Sequence, residues 1–141
     1  MNTPMFSFIL YFAFGVLCGS TLFAQPLDQY RWKNRILLVF APDPQDQHLK
    51  DQLSLLNASR AGLVDRDLKV IVLDPKSNTS LPTADSKHLY QVYKVEKDTF
   101  RVLLIGKDGT EKLRTSQPIL PIDLFRIIDA MPMRQSEMKR N

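Results

Sequence analysis

Cysteine is almost absent. The chain of 141 residues holds one, Cys18, and it stands inside an apolar leading stretch. If that stretch is removed, the mature chain can form no disulfide and offers no thiolate nucleophile. Glycine is scarce as well: there are five glycines and none cluster, which excludes the glycine-rich loops that cradle phosphates. Only two histidines exist, His48 and His88, and no G-x-S-x-G string accompanies them, so a nucleophile-elbow hydrolase is not supported. "SKHLY" around His88 reads better as a capped helix with a surface histidine. Internal repeats and low-complexity tracts are missing too.

Residues 1–24 lack Lys, Arg, Asp and Glu altogether. "MFSFILYFAFGVLCGSTLFA" has the long apolar core and trailing small residues of a secretory signal peptide, with cleavage expected after Ala24. The alternative is an uncleaved membrane anchor over residues 5–24, close to the roughly 20 residues that span a bilayer. Val16 and Leu17 before Cys18 argue against lipidation. The expected location is therefore outside the cytoplasm, periplasmic or extracellular. A core can form without disulfides in a mature chain of roughly this size.

All 19 basic and 15 acidic residues follow that stretch, for a net charge of +4. So modest an excess fits a soluble surface with mild affinity for anionic partners, not a nucleic-acid binder.

The rest of the chain reads as alternating strands and helices. A polar lead-in, residues 25–34, precedes "RILLVFAP", whose continuous apolar run from Ile36 to Ala41 predicts a strand buried on both faces. "PDPQD" stops that strand, with Asp43 expected as helix cap and Pro44 as first helical residue. Leu49, Leu53 and Leu56 form one helical stripe, and Gly62 is expected to end it. "DLKVIVLD" predicts a second strand, and the Pro/Ser/Thr-rich segment after it a loop. Ser86 can cap a short helix carrying Leu89, Val92 and Tyr93. "TFRVLLIG" predicts a third strand, Asp108-Gly109 a tight turn, and "TEKLRT" an antiparallel fourth. Leu120, Leu124, Ile127, Ile128 and Met131 predict a closing helix from about Pro121, stopped by Pro132. Residues 132–141 read as a frayed polar tail. The order β-α-β-α-β-β-α makes an α/β domain over residues 35–131, a mixed four-stranded sheet flanked by helices.

Several side chains could carry function. Asp43, Asp46 and His48 place three polar groups within six residues, but the spacing matches no recognised metal loop, and helix capping explains the acids. Arg101, Lys107, Lys112 and Arg114 gather around the expected hairpin, with Lys112 and Arg114 on one face. They could receive a phosphate, a carboxylate or an acidic partner; a charged edge strand protected from aggregation is the plainer reading. Tyr30, Arg31 and Trp32 form an aromatic–basic group for which core packing of Trp32 over the sheet edge is expected.

That order is the thioredoxin-like order, and "RILLVFAPDPQDQ" is placed like the strand and redox loop of thioredoxins. "YRWKNRILLVFAP", "RDLKVIVLD" and "FRVLLIGKDGTEKLR" together resemble the family known as domain of unknown function 4174. That family includes bacterial exported proteins and domains of vertebrate secreted sushi-repeat and coiled-coil-domain proteins described as peroxiredoxin-like. The resemblance covers about residues 28–131 and implies a thioredoxin-like fold. It departs from thioredoxins where their chemistry resides. Pro42, Asp43, Pro44, Gln45, Asp46 and Gln47 occupy the loop where thioredoxins keep two cysteines, no peroxidatic cysteine exists, and Asp98 stands where the cis-proline is expected. Thiol–disulfide exchange and cysteine peroxidase chemistry are excluded for the mature chain.

The expected function is then an exported binding or interaction module without cofactors, its partner an unnamed protein or anionic small molecule. The candidate contact residues are Asp43, Gln45, Asp46, Arg101, Lys107, Lys112 and Arg114. The alternatives are an enzyme or metal-binding protein of the cell envelope working at the Asp43/Asp46/His48 loop, and a structural module that pairs through its hairpin edge.

Overall fold

The computed structural model describes residues 25–76, 81 and 83–140. The expected leader or anchor, with Cys18, lies outside the described residues, as does most of the Ser/Thr-rich loop before the second helical region. Among the described residues no helix is long and apolar enough to cross a membrane.

A short 3-10 turn, Asp28–Tyr30, leads into strand β1, Arg35–Phe40. Helices α1 (Gln47–Ala58) and α2 (Arg60–Asp65) follow, then β2 (Leu68–Leu73) and α3 (Thr83–Val92). Strands β3 (Arg101–Ile105) and β4 (Glu111–Thr115) form the hairpin, and α4 (Pro121–Asp129) and α5 (Pro132–Met138) close the chain. The four strands lie in the order β2-β1-β3-β4. β1 runs parallel to β2, with Leu38 opposite Ile71, and antiparallel to β3, with Leu38 opposite Leu103. β4 is antiparallel to β3. This is the mixed α/β sheet expected from the sequence.

β1 is central, so all six of its residues are buried. Its side chains alternate between two cores. Leu37 and Val39 meet Leu49 and Leu56 of α1, Leu63 of α2, and Leu124 and Ile128 of α4. Ile36, Leu38 and Phe40 meet Leu89 and Tyr90 of α3, with Leu27 and Tyr30 of the lead-in packed against them. Each fully buried aliphatic side chain contributes about 1.5–3 kcal/mol, and burial on both faces is why an unbroken apolar run forms this strand.

Local chemistry moves several boundaries. α1 starts at Gln47, capped by Asp46, whose side chain accepts a hydrogen bond from the Leu49 N–H at 3.0 Å. Asp43 instead closes a turn by accepting from the Gln45 N–H at 2.7 Å. The helix breaks at Ser59, not at Gly62, which lies inside α2. Gly62 is needed for space: a Cβ there would stand 2.5 Å from the Phe125 ring. α3 begins at Thr83, ahead of the cap expected at Ser86. In the β3–β4 turn Gly109 adopts φ +81°, as expected for Asp-Gly.

The frayed tail is corrected. Pro132 starts a helix instead of stopping one, which suits its fixed φ at a first helical position. Arg134 on α5 is buried, because the carboxylates of Asp65 at the end of α2 and Asp129 at the end of α4 receive it.

Candidate binding site

The corner after β1 holds three of the seven candidate contact residues, Asp43, Gln45 and Asp46. Its polar groups are occupied internally. Asp43 holds the Gln45 amide and lies 3.6 Å from the Lys76 ammonium. Asp46 caps α1 and lies 3.9 Å from His48 Nδ1. The His48 ring rests on Phe100, centroids 5.3 Å apart. Gln45 is exposed. Among the described residues no three His, Cys, Asp or Glu side chains converge as a metal-ion site.

The four basic candidates do not form one cluster. Arg101 pairs with Phe40 at the far end of β1, while Lys107 follows β3 at the near end. Lys112 donates to Asp108 at 2.8 Å. Arg114 makes a two-pronged contact with Glu111 and donates to the Tyr93 carbonyl at 3.0 Å. Of the four, only Arg101 has no carboxylate partner among the described residues. Burial works against the Asp108 carboxyl, but hydrogen bonds from Lys112 and Thr110 outweigh it and hold the group below its usual range.

Lys107 is buried in an ion network that ties α5 to the base of the sheet. Its ammonium donates to Glu137 at 2.7 Å and to Asp67 at 2.8 Å. Arg35, fully buried at the start of β1, donates to both Glu137 oxygens, at 3.1 and 3.3 Å, and to the Arg66 carbonyl at 2.9 Å. Arg66 grips Asp129 at 2.6 and 2.9 Å and lies over the Phe125 ring. Arg134 contacts Asp129 and Asp65. Desolvation would raise the Glu137 carboxyl, but the hydrogen bonds and charges of Lys107 and Arg35 win, and it titrates below the ordinary carboxylate range. One donor is left over: Arg35 Nε is buried and has no partner.

Two clefts open at this same pole. Ile36 pairs with Ile105 and Phe40 with Arg101. The turn Gly106–Thr110 therefore sits beside the start of β1, and the Pro42–Gln47 loop leaves from its other end. The first cleft, about 400 Å³, lies between the lead-in, α3 and the turn, and includes Leu27, Tyr30, Arg31, Tyr93 and Asp108. The second, about 330 Å³, has Trp32, Met131 and Met133 as apolar lining, with Arg35, Lys107 and Lys112 beside them. Both are in the range of ligand-sized cavities. Asp108 borders both.

Trp32 does not pack into the core as expected; it is 61% exposed. Its backbone takes φ +64°, a region that costs a bulky residue about 1–3 kcal/mol. The Trp32 N–H donates to the Lys107 carbonyl at 2.7 Å, which holds that geometry. The Arg31 guanidinium lies 5.6 Å from the indole. The lead-in backbone thus presents the aromatic ring to solvent at the mouth of a cleft.

The model of the family described as Domain of unknown function (DUF4174) matches residues 26–137. The chain belongs to that family. The match takes in both the lead-in and α5, the segments that build the cleft pole. Within DUF4174 terms, relatives include the Sushi repeat-containing protein SRPX2 of Rattus norvegicus, 31% identical over 81% of this chain and 26% of the relative. The Sushi repeat-containing protein SRPX of Homo sapiens is 29% identical over 89% of this chain and 29% of its own length. The chain therefore spans under a third of the length of these relatives. Among solved structures, the reduced 2-Cys peroxiredoxin of Plasmodium vivax superposes with a TM-score of 0.61 at 17% identity, covering 79% of this chain and 84% of that one. Thioredoxin peroxidase I of Plasmodium yoelii gives 0.63 at 16%, covering 78% and 79%. At such identity the likeness is one of fold. This DUF4174 domain has that thioredoxin-like fold, and with Cys18 its only cysteine it carries no redox pair.

Of the residues singled out from sequence, Lys107 and Lys112 line the second cleft. Trp32 was singled out but assigned to the core. Arg35 and Glu137 were missed. Their roles depend on ion pairing between chain ends, and no local spacing signals that.

Proposed function

We propose that this domain is a non-catalytic binding module that works outside the cytoplasm after export. The observation that carries the reading is the corner after β1. Where the fold's relatives in name are peroxidases, this corner has prolines, amides and two acids, and the acids serve a turn and a helix cap. The apolar, charge-free start of the chain supports export, and the sushi-repeat relatives fit an extracellular setting. Of the partner classes, the pairing of Lys107, Lys112 and Arg114 with carboxylates of the chain itself favours a protein surface over a small anion. Thiol–disulfide reductase and peroxidase assays on residues 25–141 test the reading. No turnover above buffer is expected; sustained turnover would sink it.

A further inference from the structure

We infer that the cleft beside Trp32 is a docking site for an acidic peptide segment of a partner protein, one that carries an apolar side chain next to a carboxylate. This rests on the binding-module reading and names the site and partner chemistry within it.

Three observations converge. The first is the presented aromatic: Trp32 is exposed and fixed in an unfavourable backbone region by its hydrogen bond to Lys107. Met133, 39% exposed, and Met131 line the same cleft. An indole on a held backbone and adaptable thioethers in one lining suit an inserted apolar side chain, and tryptophan is among the residues that dominate binding energies. The second is charge. Arg31 and Lys33 flank Trp32 in the chain, outside the cleft lining itself, and Arg31 borders the first cleft. Both are exposed and have no carboxylate partner among the described residues, so they stand as a basic rim. Lys112 at the cleft is paired with Asp108, but that pair is about one-third exposed and so weakly held that a visiting carboxylate can compete for the ammonium. The third is the leftover donor. Arg35 belongs to the cleft lining, and its buried Nε–H lacks an acceptor. A buried donor without a partner is costly, so a carboxylate that enters the cleft deeply enough to reach Arg35 would gain an acceptor role that no described group of the chain fills. A small apolar ligand would answer the first observation alone. A peptide with both groups answers all three and also covers the exposed rim.

Trp32 is the only tryptophan in the chain, so its emission reports on this cleft. The test is to pan a random displayed peptide library on the purified protein, sequence the enriched peptides, and titrate synthetic copies while following Trp32 fluorescence. The expected result is enrichment of Asp or Glu beside Phe, Leu, Ile or Met, with an emission shift on binding. Affinity should fall at least tenfold in Met133→Ala by fluorescence and in Trp32→Ala by calorimetry, with circular dichroism unchanged. Enriched peptides without acids, or peptides whose affinity ignores both variants, would overturn the cleft assignment while leaving a binding module. Binding that follows acid content alone, unaffected by Trp32→Ala, would mark a diffuse polyanion surface and overturn it equally. No enrichment above an empty matrix would overturn this inference, and the turnover assays would then decide the wider reading separately.

Discussion

Arg35, the first residue of β1, and Glu137, in the last helix, meet through hydrogen bonds of 3.1 and 3.3 Å although they lie 102 positions apart. Lys107 joins the same carboxylate from the end of β3. One acid thus fixes α5, the first strand and the hairpin in a single cluster, and its two partners, Arg35 and Lys107, line the second cleft.

Glu137→Ala leaves Arg35 and Lys107 without their shared acceptor. Arg35 keeps the Arg66 carbonyl and Lys107 keeps Asp67. The loss should therefore reach at most about 3–5 kcal/mol, the cost of a fully broken buried pair, and urea unfolding at neutral pH should show it. The pH dependence has a definite sign. The folded Glu137 carboxyl lies below its ordinary 4.5, so the unfolded chain takes up this proton first as pH falls. The stabilisation is complete above about that value and fades as pH drops through the folded one. The gap between wild type and variant should therefore narrow in acid. A gap that stays constant down to complete acid unfolding contradicts the pairing.

Trp32→Gly removes an exposed ring and places glycine where φ is positive. Stability should be unchanged or rise by up to about 1 kcal/mol. A ring packed in the core would instead cost about 3–5 kcal/mol on removal. Thermal unfolding distinguishes the two.

Asp46→Ala deletes the cap of α1 and should cost about 0.5–2 kcal/mol. Asp43→Ala affects a single exposed turn and should cost less. Chemical denaturation of both variants gives the order. The reverse order would mean that the helix starts earlier than Gln47.

Tyr90 donates its hydroxyl to the Leu73 carbonyl at 2.9 Å, and burial, aided by the charge of Asp74, pushes its pKa from 10.0 up to about 12. The folded chain holds this proton longer than the unfolded chain does. Its contribution is whole below pH 10 and is lost as pH rises through about 12. Burial and the charge of Glu111 also raise Tyr93. Ultraviolet titration should therefore show two tyrosines ionising late, one of which is lost in Tyr90→Phe, and that variant should reduce the alkaline loss of stability.

Much of the fold was legible because its strands are apolar runs and its turn carries Asp-Gly. Ile36 to Ala41 can hardly form anything but a doubly buried strand, and Leu49, Leu53 and Leu56 mark their helix. The start of α1 was misplaced because Asp43 and Asp46 both suit a cap, and only the backbone shows that Asp46 meets an amide of the helix while Asp43 meets one of the preceding turn. α5 was missed for a different reason. Its buried residue is Arg134, and periodicity registers apolar faces, not a charged face that meets carboxylates from distant segments. Trp32 was misjudged because large aromatics are usually buried, and its left-handed backbone has no local sequence mark. The candidate residues at the β1 corner were visible as residue types, but their engagement in a turn and a cap was not.

The most direct test of the account is to map a library-selected peptide on the protein by backbone amide chemical shifts. Perturbations should concentrate at residues 30–35, 106–112 and 131–133, the pole where the clefts open. Perturbations concentrated at residues 42–48 would place the working surface at the corner where thioredoxins keep their thiols, and would contradict it.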